Sequence, residues 1–388
     1  MANEHIGRLH KLGLGKESVS GTPVAATDWI PHLDGNMKPV FTKARDQSAY
    51  GNIHELRDSK TVKEMTEVNL DGIFRDKFGG NFLMAAFGTT YPCLKVTKSG
   101  GSGTFVVGET VTGGTSAATG VIRRMDSTTV FYISITSGTF QAAETITGGT
   151  SAATGAIAFD SALRSHVFSV LNSNNHPAYT LWGKDDVSTM KSAYCMLESL
   201  ELEMTVDGFL TFKTVWKGKK RASDTGTPAY TVENEFLAKH ATIKFAADLA
   251  SLGAASAVDI SRMKLTFVKN LKDFQKFGSV DIASIHNQQM SVAGDLEALF
   301  NSTTLHDYVV NSNKKAMRIE LTNTDVTIGS AGNPALRIDL AQVSFSDWTR
   351  DGGNNDLQMQ TLGLEAEYSV GDSEAASAIL NNARTTTY

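Results

Sequence analysis

An octapeptide, GGTSAATG, stands at Gly113–Gly120 and again, unchanged, at Gly148–Gly155. The likeness extends outward: Gly103-Thr104-Phe105 recurs as Gly138-Thr139-Phe140, and Glu109-Thr110-Val111-Thr112 as Glu144-Thr145-Ile146-Thr147. A period of about 35 residues marks a duplicated supersecondary unit, one copy of which cannot bury its apolar face alone. The repeat divides the chain into an N-terminal flank (1–94), an insert (95–163) and a C-terminal flank (164–388). Within the insert, Gly113, Gly114 and Gly120, like Gly148, Gly149 and Gly155, suit tight turns between Thr- and Val-rich runs. The predicted strands there are Thr104–Val107, Val121–Arg123, Val130–Ile135 and Thr139–Ala142. They read as two small β-hairpin units, packed on each other or on the host.

The flanks carry a different pattern. The first opens with a Gly-rich stretch around Gly13–Gly21, expected to be a flexible arm, and continues through proline-punctuated extended chain to Pro31. Glu64–Leu70 alternates as a strand. Phe74, Phe78, Leu83 and Phe87 then share a face at spacings that predict a helix over Asp71–Phe87, bent at Gly79-Gly80 and stopped by Gly88. In the second flank, Leu200, Leu202, Met204 and Val206 alternate with Glu201, Glu203 and Thr205, and Asp207-Gly208 turns the chain into Phe209–Trp216. Alternation returns over Arg262–Val268, Ala316–Leu321, Leu336–Val343 and Leu362–Tyr368, and Asp295–Phe300 reads as a short helix. The fold expected is mainly β: an antiparallel sandwich or barrel with one or two short helices, plus the inserted β-repeat.

Composition excludes several classes. With 36 Lys+Arg against 41 Asp+Glu, the chain lacks the basic excess that phosphate neutralisation requires of a nucleic-acid binder. It shows no secretory leader and no apolar run of membrane-spanning length, which fits synthesis in a reducing cytoplasm. Two cysteines, Cys93 and Cys195, read as buried thiols rather than a disulfide framework. Gly13-Leu14-Gly15-Lys16 fails as a phosphate loop because His10 occupies the place of its first glycine. His54-Glu55 is not followed by the second histidine of a zinc helix, and Asp351–Asp356 lacks the downstream glutamate of a calcium loop. Nothing in the sequence asks for a catalytic residue, a metal or a cofactor.

Gly15-Lys16-Glu17-Ser18, Gly21-Thr22-Pro23 and Trp29-Ile30-Pro31 resemble the opening of tail tube (major tail) proteins of long-tailed bacteriophages. Leu83–Gly88 (LMAAFG) fits the family's helix ending, and His166-Val167-Phe168, Tyr179-Thr180-Leu181 and Ser199–Leu210 are similar to its second half. The insert resembles Gly/Thr-rich β-repeats of phage structural proteins. The resemblance implies a virion protein of the siphovirus type, assembled in the host cytoplasm into hexameric rings that stack into a tube through which DNA passes without specific binding. It also implies a tape-measure protein and a tail terminator as partners. On that reading Gly13, Gly15 and Lys16 of the arm, and Arg45, Tyr50, His54 and Arg57 of the polar loop Ala44–Lys60, are the expected ring-to-ring contacts. Glu201 and Glu203 are the expected lumen-facing residues, the insert projects outward, and its deletion leaves polymerisation intact. The alternative is a capsid decoration or tail-tip protein whose β-repeats bind the host surface.

Overall fold

The computed structural model describes residues 6–388. β1 (Lys11–Lys16) pairs with β2 (Asp28–Ile30), and β3 (Asp34–Asp46) with β4 (Asp58–Ile73). The expected flexible arm is therefore an ordered strand, with Leu12 and Leu14 in the core. Its glycines serve close packing: a Cβ on Gly15 would lie 2.2 Å from the Ala25 carbonyl oxygen, and one on Gly13 2.9 Å from the Trp29 ring. The β3–β4 ladder runs from Asp34 opposite Asp71 to Asp46 opposite Asp58, so the expected loop shrinks to residues 47–57.

Residues 71–73 stay in β4, paired with β14, and α1 (Gly79–Phe87) begins later than the periodicity predicted. Strand pairing on both sides of β4 has already taken the backbone groups a helix would need. Gly79 and Gly80 do not bend a helix but start one, where the rings of Phe74 and Tyr388 leave no room for a Cβ. Every residue of α1 is buried, and Gly88 ends it at φ +91°, a conformation that suits glycine.

β5 (Gly88–Ser99) enters the repeats, which form β6 (Thr110–Gly113), β7 (Thr119–Met125), β8 (Val130–Ser137), β9 (Thr145–Gly148) and β10 (Thr154–Ala158). Pairing closes in a circle, β5-β8-β7-β6-β9-β10 and back to β5, all antiparallel. These are not two side-by-side hairpins. β6 pairs with its counterpart β9, and β5 pairs with both β8 and β10, so the copies interlock. Repeat-related pairs fill the interior: Phe105 and Phe140, Val111 and Ile146, Ala118 and Ala153, Ile122 and Ile157. Thr104–Val107 and Thr139–Ala142, predicted as strands, are loops that deliver Phe105 and Phe140 to that interior. β11 (Arg164–Val170) returns beside β5, with Ser165 opposite Cys93, so the two ends of the barrel segment adjoin.

Next come β12 (Tyr179–Lys184), β13 (Thr189–Thr205), β14 (Thr211–Gly218) and β15 (Ala222–Ser223). β13 and β14 form the predicted hairpin. β16 (Ala241–Ala246) and β17 (Ile260–Val268) follow, then the small ribbon β18 (Lys272–Phe274) and β19 (Ser284–His286). Asp295–Phe300 is not a helix: it falls largely in β20 (Ser291–Leu299), held between β17 and β23 (Met359–Glu367). The second helix is α2 (Thr304–Val310), followed by β21 (Lys315–Thr322), β22 (Ala335–Asp351), β23 and β24 (Ala376–Asn382).

Outside the barrel and the ribbon, three strand rows share two long strands. One runs β3-β4-β14-β13-β17-β20-β23-β22, the second β5-β11-β24-β22-β21-β16, and the third β2-β1-β12-β13-β15. β22 belongs to the first two and β13 to the first and third. α1 lies within the core, where Phe82 packs on Phe212 with ring centroids 4.7 Å apart and Phe87 on Phe267 at 5.4 Å. This mainly antiparallel β fold is the one the alternation predicted.

Candidate assembly surfaces

At the far end of the β3–β4 hairpin, the sequence-selected residues Arg45, Tyr50, His54 and Arg57 are all exposed. The Arg57 guanidinium lies 4.0 Å over the Tyr50 ring and 3.5 Å from the Asp46 carboxylate. Asp46 also accepts the Ser48 hydroxyl and N–H, which hold its carboxyl below the usual range, with Arg57 adding to the effect. The Asn52 side chain accepts the His54 N–H at 3.0 Å. Ile53, fully exposed, sits between them. A large apolar side chain held out in the loop that an ordered ladder carries suits a partner surface. The ribbon β18–β19 braces the hairpin: Val280 O accepts the Glu64 N–H at 2.8 Å, and Lys63 pairs with Asp273. Its tip adds exposed Phe274 and Phe277. Gly13, Gly15 and Lys16 lie elsewhere, in β1, where the Lys16 ammonium donates to the Tyr388 carbonyl.

Glu201 and Glu203 occupy the polar face of the eight-stranded sheet, whose other face is core. Glu201 bridges Lys264 at 2.9 Å and Lys213 at 3.2 Å, and Glu203 meets Arg262 at 2.9 Å. Burial raises the Glu201 carboxyl, but the two lysines outweigh it and hold the group below its ordinary value. Register places Asp34, Glu67 and Asp71, Asp295 and Glu297, and Glu365 and Glu367 on this same face, with Lys38, Lys213, Lys217, Arg262 and Lys264. Carboxylates outnumber bases across it.

In the barrel the turns are capped reciprocally. Glu109 accepts the Thr150 and Ser151 N–H groups at 3.2 and 3.0 Å, and Glu144 accepts those of Thr115 and Ser116 at the same distances. Gly113 and Gly148 line these sites, where a Cβ would fall 2.6 Å from the capping carboxylate. Gly114 and Gly149 lend N–H groups across the repeats, to Thr145 and Thr110. Gly120 and Gly155 lie in β7 and β10, against Ile133 and Lys98.

What fixes the barrel to the host was not legible in the sequence. Asp339 on β22 is buried among Arg124, Arg318 and Arg337, with Nε–O distances of 2.7 Å to Arg318 and 3.0 Å to Arg337. Arg337 also pairs with Asp126 at 2.7 Å, and Asp126 accepts the Tyr132 hydroxyl at 2.9 Å. Burial raises Asp339, but Arg337, Arg124 and Arg318 outweigh it and keep the group ionised. Arg337 and Asp339 alternate with Leu336, Ile338 and Leu340, a pattern that reads as a solvated face until the barrel covers it. Tyr132 packs there on Val167 and Ile379.

Among the described residues no group of His, Cys, Asp and Glu is placed to hold a metal ion, and no helix is long and apolar enough to cross a membrane. Both thiols are buried, with pKa values pushed up to about 12 by desolvation.

A mainly antiparallel β-protein with a projecting hairpin and a charged, ion-paired sheet face has the architecture of a structural subunit. The family model described as "Phage tail tube protein" matches residues 7–368, and the chain belongs to that family. It is thereby a component of the virion tail that self-assembles into a tube. None of the curated proteins compared with it matches the chain.

Proposed function

We propose that this protein forms the wall of the tail tube as stacked rings enclosing the conduit for genome ejection, built on a tape-measure protein and closed by a terminator. The observation that carries this reading is the polar face of the eight-stranded sheet. Its surplus of carboxylates, set in ion-paired rows, suits a lumen that repels phosphates and lets DNA slide. Glu201 and Glu203 stand in the middle of that face.

The β3–β4 hairpin supplies ring-to-ring contacts through Arg45, Tyr50, Ile53, His54 and Arg57, braced by the β18–β19 ribbon. The barrel, residues 95–163, is an inserted domain that decorates the outside, because a lumenal position would obstruct DNA. Its adjoining ends at Cys93 and Ser165 suit such an insertion.

Negative-stain electron microscopy of the purified protein at rising concentration tests the reading. Hollow tubes are expected, and Tyr50→Ala with Ile53→Ala should yield rings that do not stack. Replacing 96–163 by a short turn should preserve tubes of smaller outer diameter. Decorated particles or rings without tubes in the unaltered protein would favour a decoration or tail-tip role.

A further inference from the structure

The chain contains the same strand arrangement twice. In the first part, β1 pairs with β12, β12 with β13, β13 with β15 and β14, β14 with β4, and β4 with β3. In the second part, β16 pairs with β21, β21 with β22, β22 with β24 and β23, β23 with β20, and β20 with β17. All six pairings recur, in the same chain order. In each part a short helix follows the second strand of the long hairpin: α1 after β4, α2 after β20. The matched strands β13 and β22 are 17 residues each, and both bend to serve two sets of partners. The segment from β5 to β11, barrel included, interrupts only the first part. No sequence repeat accompanies this recurrence.

The two parts join through one ladder, β13 with β17, Ser199 opposite Val268 to Thr205 opposite Arg262. The counterpart of β17 is β3, which pairs only with β4. The counterpart of that stretch of β13 is the end of β22, where Ser344–Asp351 pairs only with β23. Among the described residues the eight-stranded sheet thus ends in two edges without a strand partner, copies of the two edges already joined at its centre, and on β3 the Arg221 guanidinium donates to the Met37 carbonyl at 3.4 Å. Unpaired edges of this kind invite a strand from another chain. Pro39 has no N–H to offer, so the available stretch of β3 is Asp34–Lys38.

We infer that one chain supplies two tube units and that β3 of one copy pairs with the end of β22 of the next, as β17 pairs with β13 within the chain. This rests on the tube reading. A ring of six units, the number the resemblance implies, then holds three chains rather than six. Eight strands from each of three chains would close a barrel about 50 Å across, and eight from each of six chains one about 100 Å across, so the tube's inner diameter also reads the count. The β3–β4 hairpin and the β17–β20 pair, which carries the β18–β19 ribbon, then take equivalent places in the ring.

The test is cross-linking within assembled tubes. Both native thiols are buried, so cysteines placed at Asn36 on β3 and at Ser346 or Thr349 on β22 report on this contact alone. Under oxidation the full-length protein should give a ladder ending at three 41.7-kDa chains, with three also the chain count per ring by cryo-electron microscopy. A ladder ending at six overturns the count. Tubes that form without a cross-link at either position overturn the edge pairing. A protein that remains a monomer at every concentration overturns the tube reading itself, and the inference falls with it.

Discussion

Glu109 accepts the backbone N–H of Ser151, 42 residues away and in the other repeat, while Glu144 does the same for Ser116. Each copy therefore caps the turn of its twin. Burial raises both carboxyls, but the capping N–H and hydroxyl donors outweigh it and hold them below the ordinary value. Glu109→Ala should destabilise the barrel by about 1–2 kcal/mol, since it removes the acceptor of the Val106, Thr150 and Ser151 N–H groups. Glu144→Ala should cost the same, because its contacts are the mirror set. The contribution is present above the unfolded-state pKa and lost as pH falls through the lower folded value, so barrel stability should drop below about pH 4.5. Chemical denaturation of single variants across pH 3–7 checks both statements.

Asp339 neutralises a site holding three guanidinium groups. Asp339→Asn should cost roughly 3–5 kcal/mol, because it leaves Arg124, Arg318 and Arg337 buried with too little counter-charge. Arg124→Met, which removes a charge from the barrel side, should recover part of that loss in the double variant. Thermal unfolding of the four proteins in the cycle decides it.

Lys269 is buried with its side-chain nitrogen on the Ala85 carbonyl at 2.7 Å and on His176 Nδ1 at 2.9 Å, with no carboxylate among the described residues paired to it. Desolvation lowers its pKa to about 7. For a base this means that protonation opposes folding. Stability should fall as pH drops from about 10.5 to 7 and then level off. His176, lowered to about 4 by burial and then by Lys269, should add a second fall between pH 6.5 and 4. Lys269→Met should raise stability at pH 7 by a few kcal/mol and abolish the alkaline slope. Urea melts at pH 7 and 10 read the difference.

Tyr388 is buried beneath the first turn of α1, its hydroxyl accepting the Asn382 amide at 2.6 Å and its ring against His166. Tyr388→Ala should cost about 3–5 kcal/mol through the cavity it leaves. Gly80→Ala should also be destabilising, since the new methyl would sit 2.0 Å from that ring. Combining Gly80→Ala with Tyr388→Ala should cost less than the sum, a coupling that unfolding midpoints of the double variant would reveal.

Strict alternation made the β13–β14 hairpin readable, because a strand with one buried face must write its register into every second residue. Asp295–Phe300 misled for the complementary reason: Leu296, Leu299 and Phe300 satisfy a helical spacing, while Leu296 and Ala298 also satisfy a strand. The pairing on both sides of β20 settled the matter. The glycines at 13 and 15 looked like freedom in the chain, yet they mark where Trp29 and the Ala25 carbonyl press against it. Tyr50, His54 and Arg57 were legible as a surface, since a polar loop between strands has few other places to go.

The barrel's duplication is written in the residues, because its two copies still share them, and so is the in-or-out sense of most strands, because burial is chosen residue by residue. That the repeats interlock, that Arg337 and Asp339 lie under a barrel rather than in water, and that the host sheet is itself built twice emerges only once the chain is folded. Those are matters of which backbone N–H meets which C=O. Backbone groups are nearly the same in every residue, so their pairing leaves almost no mark on the side chains that a sequence records.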